Sequence, residues 1–164
     1  MVDWSDYLTC SQGLQQSPVN ILTKDVVPLE DSDAAEKLEW TSHIQTLDLS
    51  RLAEEYDANV FEVKDRSKPY MTINGTTYRL TEIELHTPSE NTIDGKHFDL
   101  EIQFRHTAPG PIYMIIAAMF VKGDAAPGVV NQLADIIQRP ARLGTQAIEY
   151  DSILQSLNST SMSR

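Results

Sequence analysis

The 164-residue sequence has one cysteine, Cys10. That excludes an internal disulfide and any metal site built from several thiolates, and Cys10 is expected to be a small buried side chain. Basic residues are scarce: 13 Lys and Arg stand against 24 Asp and Glu, a formal charge of −11 at pH 7. A field of that sign repels nucleic acid and anionic lipid and keeps a chain in solution. No basic stripe offsets it, so no nucleic acid partner is expected. Long apolar runs are missing too. The longest, Ile112 to Val121, has the length of a strand and falls well short of the roughly 20 residues of a membrane span. No transmembrane segment is expected, and Met1 opens into polar sequence with no visible targeting segment. Neither a repeat nor a linker divides the chain. A single domain over residues 1–164 is expected, large enough to bury a core without disulfides or metals.

What the chain does have is alternation. From Thr77 to His106 it reads as two strands joined by the turn-rich connection TPSENTIDGK. In the first strand Ile83 and Leu85 alternate with Glu82, Glu84 and His86. In the second Phe98, Leu100, Ile102 and Phe104 alternate with Asp99, Glu101, Gln103 and Arg105. Side chains two apart share a face, so an apolar face meets a core while a polar face looks outward. The polar faces carry Glu84, His86, Glu101, Gln103 and Arg105, five groups able to titrate or bind a metal. Adjacent strands with such residues at spacing two can aim them at one point.

The remaining segments fit a mainly β (α+β) fold, a twisted and mostly antiparallel sheet with short peripheral helices. A helical turn is expected around Asp3–Leu8, and the acidic run over residues 23–37 reads as a surface loop. Leu38–Trp40, Ile44–Leu52 and Asn59–Lys64 read as strands. Tyr70–Ile73, then Asn74-Gly75, then Thr76–Tyr78 signals a hairpin, because Asn-Gly tolerates the positive φ of a two-residue turn. Ile112–Val121 is apolar on both faces and is expected to be a buried strand. Val129, Val130, Leu133, Ile136 and Ile137 form one helical stripe that ends before Arg139-Pro140. Residues 151–164 read as a mobile tail.

Several segments together resemble the α-class carbonic anhydrases. They are Trp4 with Cys10-Ser-Gln-Gly, Gln16-Ser-Pro-Val-Asn-Ile21, Tyr78-Arg-Leu, His86-Thr-Pro-Ser-Glu-Asn-Thr-Ile-Asp-Gly95-Lys, Glu101 through His106, and Phe120-Val-Lys-Gly123 with Pro127-Gly128. They occur in the family's order and at about its spacing. In that family a His-x-His pair on one strand and a third histidine on its neighbour hold zinc. Three neutral imidazoles leave the ion nearly its full charge, which brings the pKa of the bound water to about 7. The resemblance places the pair on Glu84 and His86 and the third ligand on Gln103, so two of three histidines are replaced.

The same resemblance assigns Glu101 to the carboxylate that orients the third ligand, where it can accept from the Gln103 amide. It assigns Glu90 to the carboxylate that orients a gating threonine, and Asn59 to the proton-shuttle position, where an amide carries no proton. Arg105 falls where the family has a small apolar residue and is expected to occlude the former metal site, and either it or a water network, in place of a metal, is expected to neutralise Glu84. His86 is expected to be hydrogen-bonded in a polar cavity, His106 to be structural, and His43 and His97 to face solvent. No resident cofactor is expected. The family's threonine segment is expected beyond the last residue, which gives a truncated carbonic anhydrase-related protein that binds or scaffolds instead of catalysing. A weak or altered metal-dependent hydratase or hydrolase is the alternative. The truncation implies an open sheet edge at Ile112–Val121. A protein partner or second copy is expected there, docked on Ile112, Met114, Ile116, Ala118 and Phe120. Only the resemblance suggests a secreted or organelle-lumen setting.

Overall fold

The computed structural model describes residues 17–26, 39–41, 46–51, 60–64, 70–124, 128–138 and 146–149. Eleven strands and one α-helix lie in those residues. The strands are β1 (Asn20–Ile21), β2 (Glu39–Thr41), β3 (Thr46–Arg51), β4 (Val60–Val63), β5 (Tyr70–Ile73), β6 (Thr76–His86), β7 (Thr92–Ile93), β8 (Lys96–His97), β9 (Leu100–Ala108), β10 (Ile112–Phe120) and β11 (Gln146–Glu149). The helix α1 spans Gly128–Gln138, and a 3₁₀ turn spans Thr23–Asp25. The fold is the expected antiparallel sheet. Its main path runs β10-β9-β6-β4-β3-β11, with β5 and β2 branching from β6. The expected helical turn at Asp3–Leu8, the tail, Cys10, His43 and Asn59 lie outside the described residues.

The longest pairing is the one anticipated from alternation. β6 and β9 run antiparallel, with Ile83 opposite Phe104, Glu84 opposite Gln103, Leu85 opposite Ile102 and His86 opposite Glu101. One face is therefore apolar but for His106. Leu47, Leu49, Phe61, Val63, Leu80, Ile83, Ile102 and Phe104 are almost wholly buried there, and Leu133 of α1 packs against them. Burial of each such side chain contributes about 1.5–3 kcal/mol, so this face anchors the sheet. Asn74 and Gly75 turn between β5 and β6 with φ of 49° and 78°, the left-handed values that a short hairpin demands. The described helix runs to Gln138, one residue short of the Arg139-Pro140 step, and a proline disfavours helical geometry in the residue before it.

Two expectations need correction. Ile112–Val121 was expected to be buried on both sides. Instead Ile112, Tyr113 and Ile115 are 51%, 60% and 43% exposed, and Ala118 alone in β10 is fully buried. Among the described residues β10 has one neighbour, β9. The connection TPSENTIDGK is also more ordered than a plain turn. β7 and β8 form a miniature hairpin around Asp94 and Gly95, with positive φ at both. The strap of residues 19–23 lies parallel on β7. Asn20 holds it there, its Oδ1 accepting from Thr92 Oγ1 and Gly95 N at 2.8 Å each.

Candidate functional site

The outward face of β6 and β9 collects the charged residues because each occupies an even step from its neighbours. Glu82, Glu84 and His86 line up on β6, and Arg105, Gln103 and Glu101 stand directly across on β9. Beyond them the Thr87–Asn91 turn folds back over the end of β6. Ser89 fixes it: buried, it donates from its backbone N to Phe98 O and from Oγ to Asn91 O, and its Oγ accepts from Phe98 N. His97 adds a bond from Nδ1 to Ser89 O at 2.6 Å while its ring stays exposed. This lock sets Glu90 beside His86 and Gln103.

At the centre His86 sits between two carboxylates. Its Nε2 is 3.6 Å from Glu84 Oε2 and its Nδ1 is 3.4 Å from Glu90 Oε1. The Nε2 atom is buried and makes no hydrogen bond. Gln103, 6% exposed, donates from Nε2 to Glu101 Oε1 at 3.0 Å and to Glu90 Oε2 at 3.3 Å. Glu101 is fully buried, and a buried carboxylate needs several donors to offset its desolvation. It has them in Gln103 Nε2, Asn91 Nδ2 and, at 2.9 Å, Asn91 N. Among the described residues no group of three His, Cys, Asp or Glu is arranged to hold a metal ion.

Of the two expected ways to neutralise Glu84, Arg105 or water, the guanidinium is turned to a different carboxylate. Its Nη1 donates to Glu82 Oε2 at 2.9 Å, and its guanidinium stacks over the Tyr113 ring at 5.1 Å. Strand register is the reason. Arg105 is directly opposite Glu82, and Glu84 is directly opposite Gln103, so the guanidinium meets the nearer carboxylate first. Stacking on Tyr113 of β10 then holds it to the far side of the site.

Two residues that complete the site escaped the sequence reading. Glu82 shares the alternation with Glu84 and was there to be found. Asn91 had no periodic signal, yet it ties three segments together. Besides serving Glu101, its Oδ1 accepts from Val19 N at 2.8 Å, which joins the strap to the site. Farther along the strap, Thr23 donates from N and Oγ1 to the two oxygens of Asp94 at 2.9 and 2.7 Å. Those two bonds hold the Asp94 carboxyl below its usual pKa. On the opposite face His106 is 1% exposed. Burial pushes its pKa down to about 4, partly countered by the bond from Nδ1 to Phe104 O at 2.9 Å.

Comparison with known proteins places this geometry. A family model described as eukaryotic-type carbonic anhydrase matches residues 2–160. Dioscorin DB3L of Dioscorea polystachya is 28% identical over 144 residues, covering 82% of this chain and 46% of that protein. A carbonic anhydrase of Pectobacterium carotovorum is 30% identical over 162 residues, covering 96% of this chain and 59% of that protein. Among solved structures, the α-carbonic anhydrase of Photobacterium profundum superposes with a TM-score of 0.68 at 24% identity, over 92% of this chain and 65% of that one. At that identity the likeness speaks for the fold. The chain spans about half the length of the curated relatives it matches.

Proposed function

Because this chain belongs to the carbonic anhydrase family, we propose that it is a member without hydratase chemistry, serving as a binding or structural subunit of a protein assembly. The observation that supports this is the set of side chains at Glu84, His86 and Gln103. The family normally uses zinc, and the donors here fit that ion poorly. One imidazole, one carboxylate and one amide replace three imidazoles. A carboxylate ligand cancels one unit of the ion's charge, and the bound water then keeps a higher pKa than three neutral ligands would give it. The amide is a weak zinc ligand, and its nitrogen is already engaged by Glu101 and Glu90. At these three positions, His86 Nε2 is an imidazole nitrogen left without a hydrogen bond.

The structure of the site also suits a role without turnover. Gln103, Glu101 and Asn91 form a closed chain of hydrogen bonds that ends on the backbone of the strap. Such a chain braces the sheet and needs no ion to be satisfied.

A second reading, an altered metal-dependent hydratase, draws on the open His86 Nε2 and on relatives named carbonic anhydrase at 30% identity. Metal analysis of the purified protein, with carbon dioxide hydration measured alongside, separates the two. Substoichiometric zinc and a hydration rate at the uncatalysed background are expected. Stoichiometric zinc with sulfonamide-sensitive hydration overturns the proposal in favour of the second reading.

A further inference from the structure

The strap of residues 17–26 is held in place differently from the main sheet. Every residue in it is exposed, and among the described residues none of its side chains joins the buried core cluster. Hydrogen bonds hold it instead. Besides the bonds of Val19 N, Asn20 Oδ1 and Thr23 given above, Val19 O accepts from Thr92 N at 3.0 Å and Ile21 O accepts from Asp94 N at 2.9 Å. Residues 19–23 thus dock on residues 91–95 in one short register, where losing one bond lets the next drift out of line. A segment with exposed bonds and no buried apolar side chain belongs to the low-stability end of a fold, the part that opens locally.

We propose that the strap is a latch, opening and closing as one unit while the main sheet stays folded, and that Asn91 ties its state to the Glu101–Gln103 chain of the candidate site. Asn91 uses both ends of one side-chain amide. Its Oδ1 accepts from Val19 N on the strap, its Nδ2 donates to Glu101 Oε1 on β9, and its backbone N donates to Glu101 Oε2. The amide is planar, so a turn that lets go of Val19 also carries Nδ2 away from Glu101. Glu101 is fully buried and has no water to take the place of a lost donor, which opposes that turn. A closed strap therefore steadies the donors around Glu101, and a well-held Glu101 keeps Asn91 Oδ1 aimed at the strap. Coupling of this kind is reciprocal by linkage.

From Glu101 the chain of contacts runs on into the site. Gln103 Nε2 donates to Glu101 and to Glu90, and Glu90 stands 3.4 Å from His86. Opening the latch loosens Gln103 and Glu90 without touching the pairing of β6 with β9, which the core cluster anchors from the other face. The strap thereby sets how firmly the polar site is held, from a segment that contributes no side chain to it. This goes beyond the subunit reading and does not depend on it, since the latch is the same whether or not the site turns over carbon dioxide.

Amide hydrogen exchange of the full chain, read by nuclear magnetic resonance, tests both halves. The amides of Val19, Thr23, Thr92 and Asp94 are expected to share one opening, with protection factors within about threefold of each other and about a hundredfold below those of the β6–β9 ladder. Asn20→Ala with Thr23→Val, at two exposed positions, is expected to speed all four by one common factor of about tenfold and to leave the ladder unchanged. In the same variant the side-chain amide protons of Asn91 and Gln103 are expected to exchange faster than in the parent. Glu101→Gln tests the reverse direction: the strap amides should speed up, although Glu101 reaches the strap through Asn91. Four amides that open only with the ladder, or that answer the double variant one at a time, overturn the latch. Asn91 and Gln103 side-chain amides that keep their parent rates while the strap opens overturn the coupling, even where Glu101→Gln fails to fold. Unchanged strap amides in a folded Glu101→Gln variant do the same.

Discussion

His106 offers the sharpest quantitative prediction. It is buried in the apolar face of the sheet, donates from Nδ1 to Phe104 O, and leaves its buried Nε2 without a partner. A proton on Nε2 would place an imidazolium with no counter-charge in the core, which is why burial lowers its pKa from 6.5 to about 4. The unfolded chain keeps the ordinary value and takes up the proton from about pH 6.5 downward, while the native chain refuses it until about pH 4. This contribution to stability is therefore fully present above pH 6.5 and is lost as pH falls through that window. Below both values the loss approaches about 3 kcal/mol, and by pH 5 it is already about 2 kcal/mol. Urea unfolding followed by circular dichroism at pH 7 and pH 5, extrapolated linearly, measures it. His106→Gln, which does not titrate, should lose about 2 kcal/mol less than the parent between those two pH values. If parent and variant lose the same stability, the histidine is not held neutral by burial and the argument is wrong.

Three further outcomes follow from the outward face and the strap. Glu84→His with Gln103→His rebuilds three imidazoles on the register already present, and the double variant should bind about one zinc per chain by elemental analysis where the parent does not. Asn91→Ala removes a donor from the buried Glu101 and the acceptor from Val19 N, so urea unfolding should show a loss of about 1–3 kcal/mol. The backbone amide of Val19 should also exchange with solvent faster in that variant. Thr23→Val removes the hydroxyl donor to Asp94, whose carboxyl should then titrate closer to its ordinary value by nuclear magnetic resonance.

The pattern of what was legible follows from what alternation encodes. A period of two assigns each residue to a face, so the apolar face of Ile83, Leu85, Ile102 and Phe104 and the polar face of Glu84, His86, Glu101 and Gln103 were both readable. So were the Asn74-Gly75 turn and α1, which rest on local chemistry and the 3.6 period. Alternation does not assign a neighbour. Sliding β6 by two residues along β9 preserves every face and would bring Arg105 opposite Glu84 instead of Glu82, so the pairing of Arg105 could not be taken from the pattern. For β10 the pattern misled on burial: two apolar faces do not say whether anything covers them, and Ile112, Tyr113 and Ile115 are exposed. The strap was invisible because side-chain bonds from Asn20, Thr23 and Asn91 hold it, with a parallel ladder of only two residues, too short to carry any period. This has a consequence for the site. Glu84, His86 and Gln103 were found as a set because they needed only a face, but whether they act as ligands depends on Glu90 and Asn91. Those two are set in place by Ser89 and by the strap, where no periodicity points.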